Sequence, residues 1–278
     1  MSIILFTALI FGTSLFAGLL GALTGLGGGV VIVPVLVLVF KVDLHYAIGA
    51  SLVSVIATSS GAAAAYVKEG LSNIRIGMFL EIATTLGALL GAYLTAKISS
   101  HSIAVVFGSV LLYSGYASLR KKPESLSAPV VNPLASMLKL NGSLPCSTGN
   151  ESYSAQRVPL GFGIMFGAGT LSGLLGIGSG AVKVLAMDHA MKLPFKVSTT
   201  TSNFMIGVTA AASAGIYLSR GYIAPGIAMP VMLGVLGGSL VGSRLLVRAR
   251  VPTLKAVFSL VIVALGFEMI FSGITGRI

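Results

Sequence analysis

The sequence predicts an all-α integral membrane protein of two inverted-topology repeats. Each repeat is a glycine-broken re-entrant or paired helix segment followed by three transmembrane helices. Three observations carry this. The 278 residues are 55% hydrophobic and 9% charged, with mean hydropathy +0.99, whereas a soluble domain is about a quarter charged. Apolar segments of spanning length recur in two sets at a constant offset of 151 residues. Lys and Arg collect at the segment ends that an inverted arrangement places on one side.

The first apolar segment covers about residues 2–40. Met1 to Leu20 lacks the positive start of a signal peptide and reads as a retained first helix. The stretch Gly21 to Leu36 then sets glycines and Pro34 inside a run otherwise apolar enough to be a membrane helix. Glycine weakens a helix and proline removes a backbone donor. In hydrocarbon such a break persists only where protein or a polar cavity satisfies the freed groups. Further apolar runs cover about 44–67, 76–96 and 101–119. A polar stretch without sustained period follows, and then runs at about 158–187, 197–218, 222–246 and 253–273. The chain therefore divides into a first membrane repeat (1–119), a linker read as cytoplasmic (120–157) and a second membrane repeat (158–278). Asn141-Gly-Ser and Asn150-Glu-Ser in the linker match a glycosylation acceptor but fall on the wrong side for it.

At the offset of 151, Gly25, Gly27 and Gly29 fall on Gly176, Gly178 and Gly180. Ser51 falls on Ser202, Tyr66 on Tyr217, Gly87 and Gly91 on Gly238 and Gly242, and Phe107 on Phe258. A gap-free register of this length points to internal duplication, a recurrent plan of secondary transporters. If each glycine-broken segment crosses once, the basic residues divide evenly. If it turns back, 13 Lys and Arg, among them Lys68, Arg75, Arg120, Lys139, Arg157, Lys192 and Lys196, share one side. The other side keeps Lys41, Lys97, Arg220 and Arg277. The positive-inside rule selects the turn-back, an odd number of crossings per half, and both termini periplasmic.

A half-helix starting after such a break points free N–H groups and its positive dipole end at the bilayer centre. Two inverted halves bring two such ends together and make an anion site. The candidates are Gly25, Gly27, Gly28 and Gly29 of the first break and Gly176, Gly178, Ser179 and Gly180 of the second. Lys183 stands where the first half has Ile32. It reads as a contact to an anion, as a snorkelling side chain or as a pair with Asp188. Ser51, Ser202 and Asn203 offer neutral donors for oxyanion oxygens, or bond back to helix carbonyls. Glu81 and Glu268 are the carboxylates inside later spans, read as interfacial or helix-paired, with proton coupling as the functional alternative. The Gly-x-x-x-Gly pairs at 87/91 and 238/242 read as close helix packing.

Other chemistries find little support. The net charge of +11 lies between spans rather than on one stripe, which argues against nucleic acid. Cys146 is the single cysteine, so no intrachain disulfide or cysteine metal cluster exists. There is no Walker A or His-Glu-x-x-His motif. The Gly-x-Gly-x-x-Ala at 176–181 lacks a βαβ setting. No cofactor and no metal are expected. A re-entrant pair also suits a channel filter.

The residues Gly25-Leu-Gly-Gly-Gly29 with Val33-Pro34 and Leu36, then Ala47-Ile-Gly-Ala-Ser-Leu52, then Gly176-Ile-Gly-Ser-Gly180 with Ser198-Thr-Thr-Thr-Ser-Asn203, resemble the TauE/SafE (TSUP) family. The resemblance covers nearly the whole chain except the linker. It implies a multi-pass carrier of the bacterial inner membrane for anions such as sulfite or sulfoacetate, an exporter, with an anion-selective channel as the alternative. The partners expected are the small sulfur-containing anion and the lipid bilayer. A coupling proton or cation and a homo-oligomer are compatible with the sequence. Lys183 inside the second motif and the lack of an intramembrane cysteine depart from the family pattern, the latter arguing against its thiosulfate-uptake branch. Cysteines placed at Ser125 and at Ser2 should label from opposite sides of the membrane; equal labelling from one side contradicts the inverted arrangement.

Overall fold

Residues 3–24, 28–68, 72–119, 133–146, 149–246 and 251–277 are described by the computed structural model; Gly25 and Gly27 of the first break lie outside them. The first half comprises α1 (Ile3–Thr24), α2 (Gly29–Pro34) running on into a wider π-type turn (Val35–Val39), α3 (Leu44–Lys68), α4 (Ile74–Thr95) and α5 (Ser100–Leu119). The second comprises α7 (Val158–Leu175), α8 (Gly180–Leu185) with its π-type turn (Ala186–Ala190), α9 (Phe195–Ser219), α10 (Pro225–Leu246) and α11 (Val251–Ile274). Element after element, the second half repeats the first at the offset of 151. Even the left-handed residue after each π-type turn recurs, at Lys41 and Lys192.

The linker differs from the featureless stretch its sequence suggests. It holds a short helix α6 (Pro133–Met137) and an antiparallel hairpin of β1 (Asn141–Cys146) and β2 (Gly149–Ser154). Among the described residues the fold is thus helical with one small hairpin outside the bundle. Asn73 fastens the hairpin to α4. Its Nδ2 donates to the Tyr153 hydroxyl at 2.9 Å, and its Oδ1 caps α4 by accepting from Ile76 N at 3.1 Å. Burial pushes the Tyr153 hydroxyl above its usual pKa, partly offset by this bond.

Each glycine-broken segment turns back on itself. In the second half, Gln156 N donates to Met191 O at 2.9 Å, and Gly161 lies against the Met191 side chain. The chain therefore descends along α7, which is about 27 Å long, and climbs back beside it. In the first half, the Phe6 ring stands edge-on to Phe40 at 5.8 Å, and Gly28 lies against Gly18. The proline is not what makes the break. Pro34 sits at the end of α2 and the chain continues helically, as it does at Leu185 in the second copy. The backbone leaves the helix earlier, at the glycines.

Helices that follow one another run antiparallel. His45 near the start of α3 reaches Thr95 O at the end of α4. Across the halves α5 and α11 are antiparallel as well, with His101 near the start of α5 meeting Gly276 beyond the end of α11. The halves are interlocked rather than side by side: α1 packs on α10, α7 on α4, α3 on α9 and α5 on α11. Exchanging the halves maps this set of pairings onto itself. The α4–α7 and α1–α10 pairs approach closely because both members carry glycine. A Cβ on Gly173 would lie 2.0 Å from Ala88 O, one on Gly91 2.1 Å from Thr170 O, and one on Gly238 1.9 Å from Leu15 O. The packing reading of Gly87, Gly91 and Gly238 therefore holds, while the side-chain surroundings of Gly242 lie outside the described residues.

The outer surface is apolar. Ile4, Phe16, Met78, Ile82, Leu86, Leu233, Leu240, Leu260 and Phe267 are all exposed. A belt this large on a monomer marks contact with an apolar medium. With α4 and α7 long and apolar enough to cross a bilayer, that medium is lipid.

The glycine contacts give a graded test. Gly173→Ala and Gly238→Ala should each cost about 1–3 kcal/mol, because backbone rather than a flexible side chain must move. Gly163→Ala, which meets nothing within 4 Å, should be neutral or raise the melting temperature slightly. Thermal unfolding in detergent reads the difference.

Candidate functional site

The second break is the better defined. Gly176 (φ 68°), Gly178 (φ 70°) and Ser179 (φ 46°) are all left-handed. Gly176 closes α7, its N–H bonded to Ser172 O. Glycine adopts such angles freely, but serine does not; holding Ser179 there costs on the order of 1–3 kcal/mol. The surrounding packing enforces it. A Cβ on Gly178 or Gly180 would lie 2.6 Å from Ile206, and one on Gly176 2.6 Å from Ile48.

The two breaks meet in the interior. Ser51 on α3 donates its hydroxyl to Gly176 O at 2.8 Å, joining the first half to the second break. Gly29, the first residue of α2, lies against Ser51 Oγ, Val55 and Gly176 O. In the corresponding place of the other half, Ser202 donates to Gly180 O at 3.3 Å, and Gly180 lies against Ile206. Gly29 with Ser51 and Val55, and Gly180 with Ser202 and Ile206, are the same cluster built twice. In this conformation both serine hydroxyls hold the break's carbonyls and have no proton left for a ligand. Gly28 precedes α2 and packs on Val235 and Gly18. Asn203 is half-buried one residue beyond Ser202.

Ser179 differs from the other two serines. It is 4% exposed, and its Oγ has no hydrogen-bond partner. It lines a small cavity with Val30 of α2, Val110 and Ser114 of α5, and Ile177, Gly180 and Val182. The free space there fits about one water molecule. An unpartnered buried hydroxyl at the foot of α8, between two helix starts, is a donor awaiting an acceptor.

Lys183 is 0% exposed. Its ammonium donates to Thr209 Oγ1 on α9, and Thr209 donates to Glu81 Oε1 on α4 at 2.6 Å. Thr85 adds a bond to the same oxygen at 3.1 Å. The cation is therefore matched by Glu81 of the other half through one hydroxyl. Snorkelling does not occur, and Glu81 is helix-paired in the interior at 7% exposure rather than interfacial. Glu268 is exposed on the outer face of α11. Thr209 drew no attention in the sequence because membrane threonines usually bond back to their own helix, as this one also does to Met205 O at 2.8 Å. The usable signal was Lys183 itself, since a buried ammonium requires an acceptor nearby.

Removing one member of a buried charge pair strands the other. Lys183→Met and Glu81→Gln should each lower the melting temperature, and the double variant should recover most of the loss. The coupling should be on the order of 1–3 kcal/mol; strict additivity would show that the two charges do not interact.

The sequence profile of the family described as "Sulfite exporter TauE/SafE" matches residues 10–269. The chain is 27% identical to the "Probable membrane transporter protein YunE" of Bacillus subtilis (strain 168), over 94% of this chain and 96% of that protein. It is 26% identical to the "Probable membrane transporter protein YdhB" of the same organism, over 82% and 85%. A "Probable membrane transporter protein" of Xylella fastidiosa (strain 9a5c) is 25% identical, over 91% and 92%. No solved structure matches the chain at a significant level.

Proposed function

Because the chain belongs to the TauE/SafE sulfite exporter family, and hence to a family of membrane transporters rather than enzymes, we propose that it is a secondary carrier that exports a small sulfur-containing anion such as sulfite or sulfoacetate. The observation that carries this is the junction of the two breaks. Two helix starts, one from each half, line the same small cavity through Val30 and Gly180, and beside Gly29 the Ser51 hydroxyl holds Gly176 O of the second break at 2.8 Å. The first N–H groups of a helix have no acceptor within it. In α2 the intrahelical ladder begins with Val31 N and Ile32 N on Gly28 O, and in α8 with Lys183 N on Ser179 O. An anion is the species such a pair of ends attracts.

In this reading the anion lies between Gly28–Val30 and Gly176–Gly180 and accepts from the Ser179 hydroxyl. Ser51 and Ser202 hold the break loops in place, and Asn203, one residue beyond Ser202, borders the path. Lys183, one turn past Gly180, supplies positive charge. The turn-back of each segment followed by three antiparallel helices supports an inverted repeat, with termini at one end of the bundle and the linker at the other. The 13-to-4 division of Lys and Arg supports a cytoplasmic linker and periplasmic termini. Alternating access rocks the interlocked pairs about the junction.

Proteoliposomes test the class. A carrier shows saturable sulfite or sulfoacetate flux and counterflow, whereas linear flux without counterflow identifies an anion channel. Ser179→Gly tests the site: it relieves the left-handed strain, so the protein should melt higher, by about 1 kcal/mol, while anion binding weakens. Binding unchanged in this variant removes the hydroxyl from the site.

A further inference from the structure

We propose that Glu81 is a proton-binding site coupled to the anion, so that each anion bound is accompanied by a proton. This rests on the carrier reading and adds its coupling ion.

The geometry singles out one carboxylate. Glu81 Oε1 accepts from Thr209 and Thr85, but Oε2 is buried with no hydrogen-bond partner. An ionised oxygen left bare in a membrane interior is costly, and a proton added to Oε2 neutralises it in place. The hydroxyl of Thr209 is arranged for either state. It accepts from Lys183, and its single proton has two acceptors within reach, Glu81 Oε1 at 2.6 Å and Met205 O at 2.8 Å. With Glu81 ionised the proton faces the carboxylate; with Glu81 neutral it turns to the carbonyl.

The charge balance links this to transport. Ionised Glu81 and Lys183 sum to zero. A proton from water adds to an Oε2 lone pair, the carboxylate becomes a carboxyl, and the network carries one positive charge. An anion arriving at Gly180, one turn from Lys183, then meets a cation no longer matched by Glu81. By linkage, proton and anion each raise the other's affinity.

Among the described residues, the other titratable groups of the elements packed around this pair lie toward the ends of those elements. Of the elements packed on α4, α7 carries no titratable residue, and Arg157 lies at its start. Helix α9 brings Lys196 at one end and Tyr217 with Arg220 at the other. On α4 itself Arg75 and Tyr93 lie near the ends. The turn after α8 holds Asp188 and His189, and the hairpin contributes Tyr153.

The other half supplies a control built by duplication. At the same offset Lys183, Thr209 and Glu81 correspond to Ile32, Thr58 and Met232. Ile32 is fully buried, and Thr58 bonds back to Ser54 O and Val55 O. The fold therefore packs without the charges, so their presence in one copy is not a packing requirement.

Calorimetric titration of the full chain in detergent with sulfoacetate, in two buffers of different ionisation heat, reads protons taken up per anion near neutral pH. The wild type should take up close to one proton per anion, and Glu81→Gln should bind without uptake. Binding by the wild type with no proton uptake overturns the coupling while leaving the carrier reading intact. Absence of binding for sulfoacetate and sulfite alike overturns the carrier reading itself. The double variant Lys183→Ile with Glu81→Met, which copies the other half, should fold and lose at least about tenfold in sulfoacetate affinity. Unchanged affinity with unchanged uptake overturns the proposal.

Discussion

A helix interrupted within a bilayer leaves amide and carbonyl groups that no water can satisfy, and the rest of this structure depends on how two such interruptions are resolved. The second break's carbonyls are taken by serines: Gly176 O by Ser51 of the other half and Gly180 O by Ser202. Neither half completes its interior alone. Ser51 needs the second break, and position 29 is glycine where Ser51, Val55 and Gly176 leave no room for a Cβ. The interlocking of α1 with α10 and of α4 with α7 follows, because those pairs hold the two hairpins face to face. Their glycines permit the backbone approach this demands.

Upon this symmetric frame the chain places an unsymmetric charge. Lys183 and Glu81 come from different halves and meet only through Thr209. A buried ion pair is poor evidence of stability, since apolar residues of similar volume often serve as well or better. Here the apolar version exists in the same molecule, at Ile32 and Met232. The fold therefore does not require the charges; under the proposed function they serve the anion, together with the strained and unpartnered Ser179.

Much of the fold was legible in the sequence because hydrocarbon imposes a simple rule. Spans must be long, apolar and helical, and the boundaries read from hydropathy fall within a few residues of those observed. The duplication was legible for the same reason: glycines, serines and aromatics kept a common register through spans whose lengths the bilayer restricts. The linker was not, because Asn141 to Ser154 lies outside the spans and its hairpin is held by Asn73 and Tyr153, 80 residues apart in the chain. Pro34 misled for a local reason. It stood with the glycines as a feature of the break, yet the second copy follows the same path with Leu185 in its place.

By itself, then, the sequence determined a helical membrane protein, a duplicated one, and the two stretches where its helices must break. These are matters of composition and period, which every residue in a span reports. Tertiary structure decided what each polar side chain does. Ser51 and Ser202 hold carbonyls, Ser179 faces a cavity with its hydroxyl unpartnered, and Lys183 finds its acceptor on α9 and its countercharge on α4. In a bilayer a buried polar group takes whichever partner lies within about 3 Å, and that partner belongs to another helix whose approach no local pattern encodes.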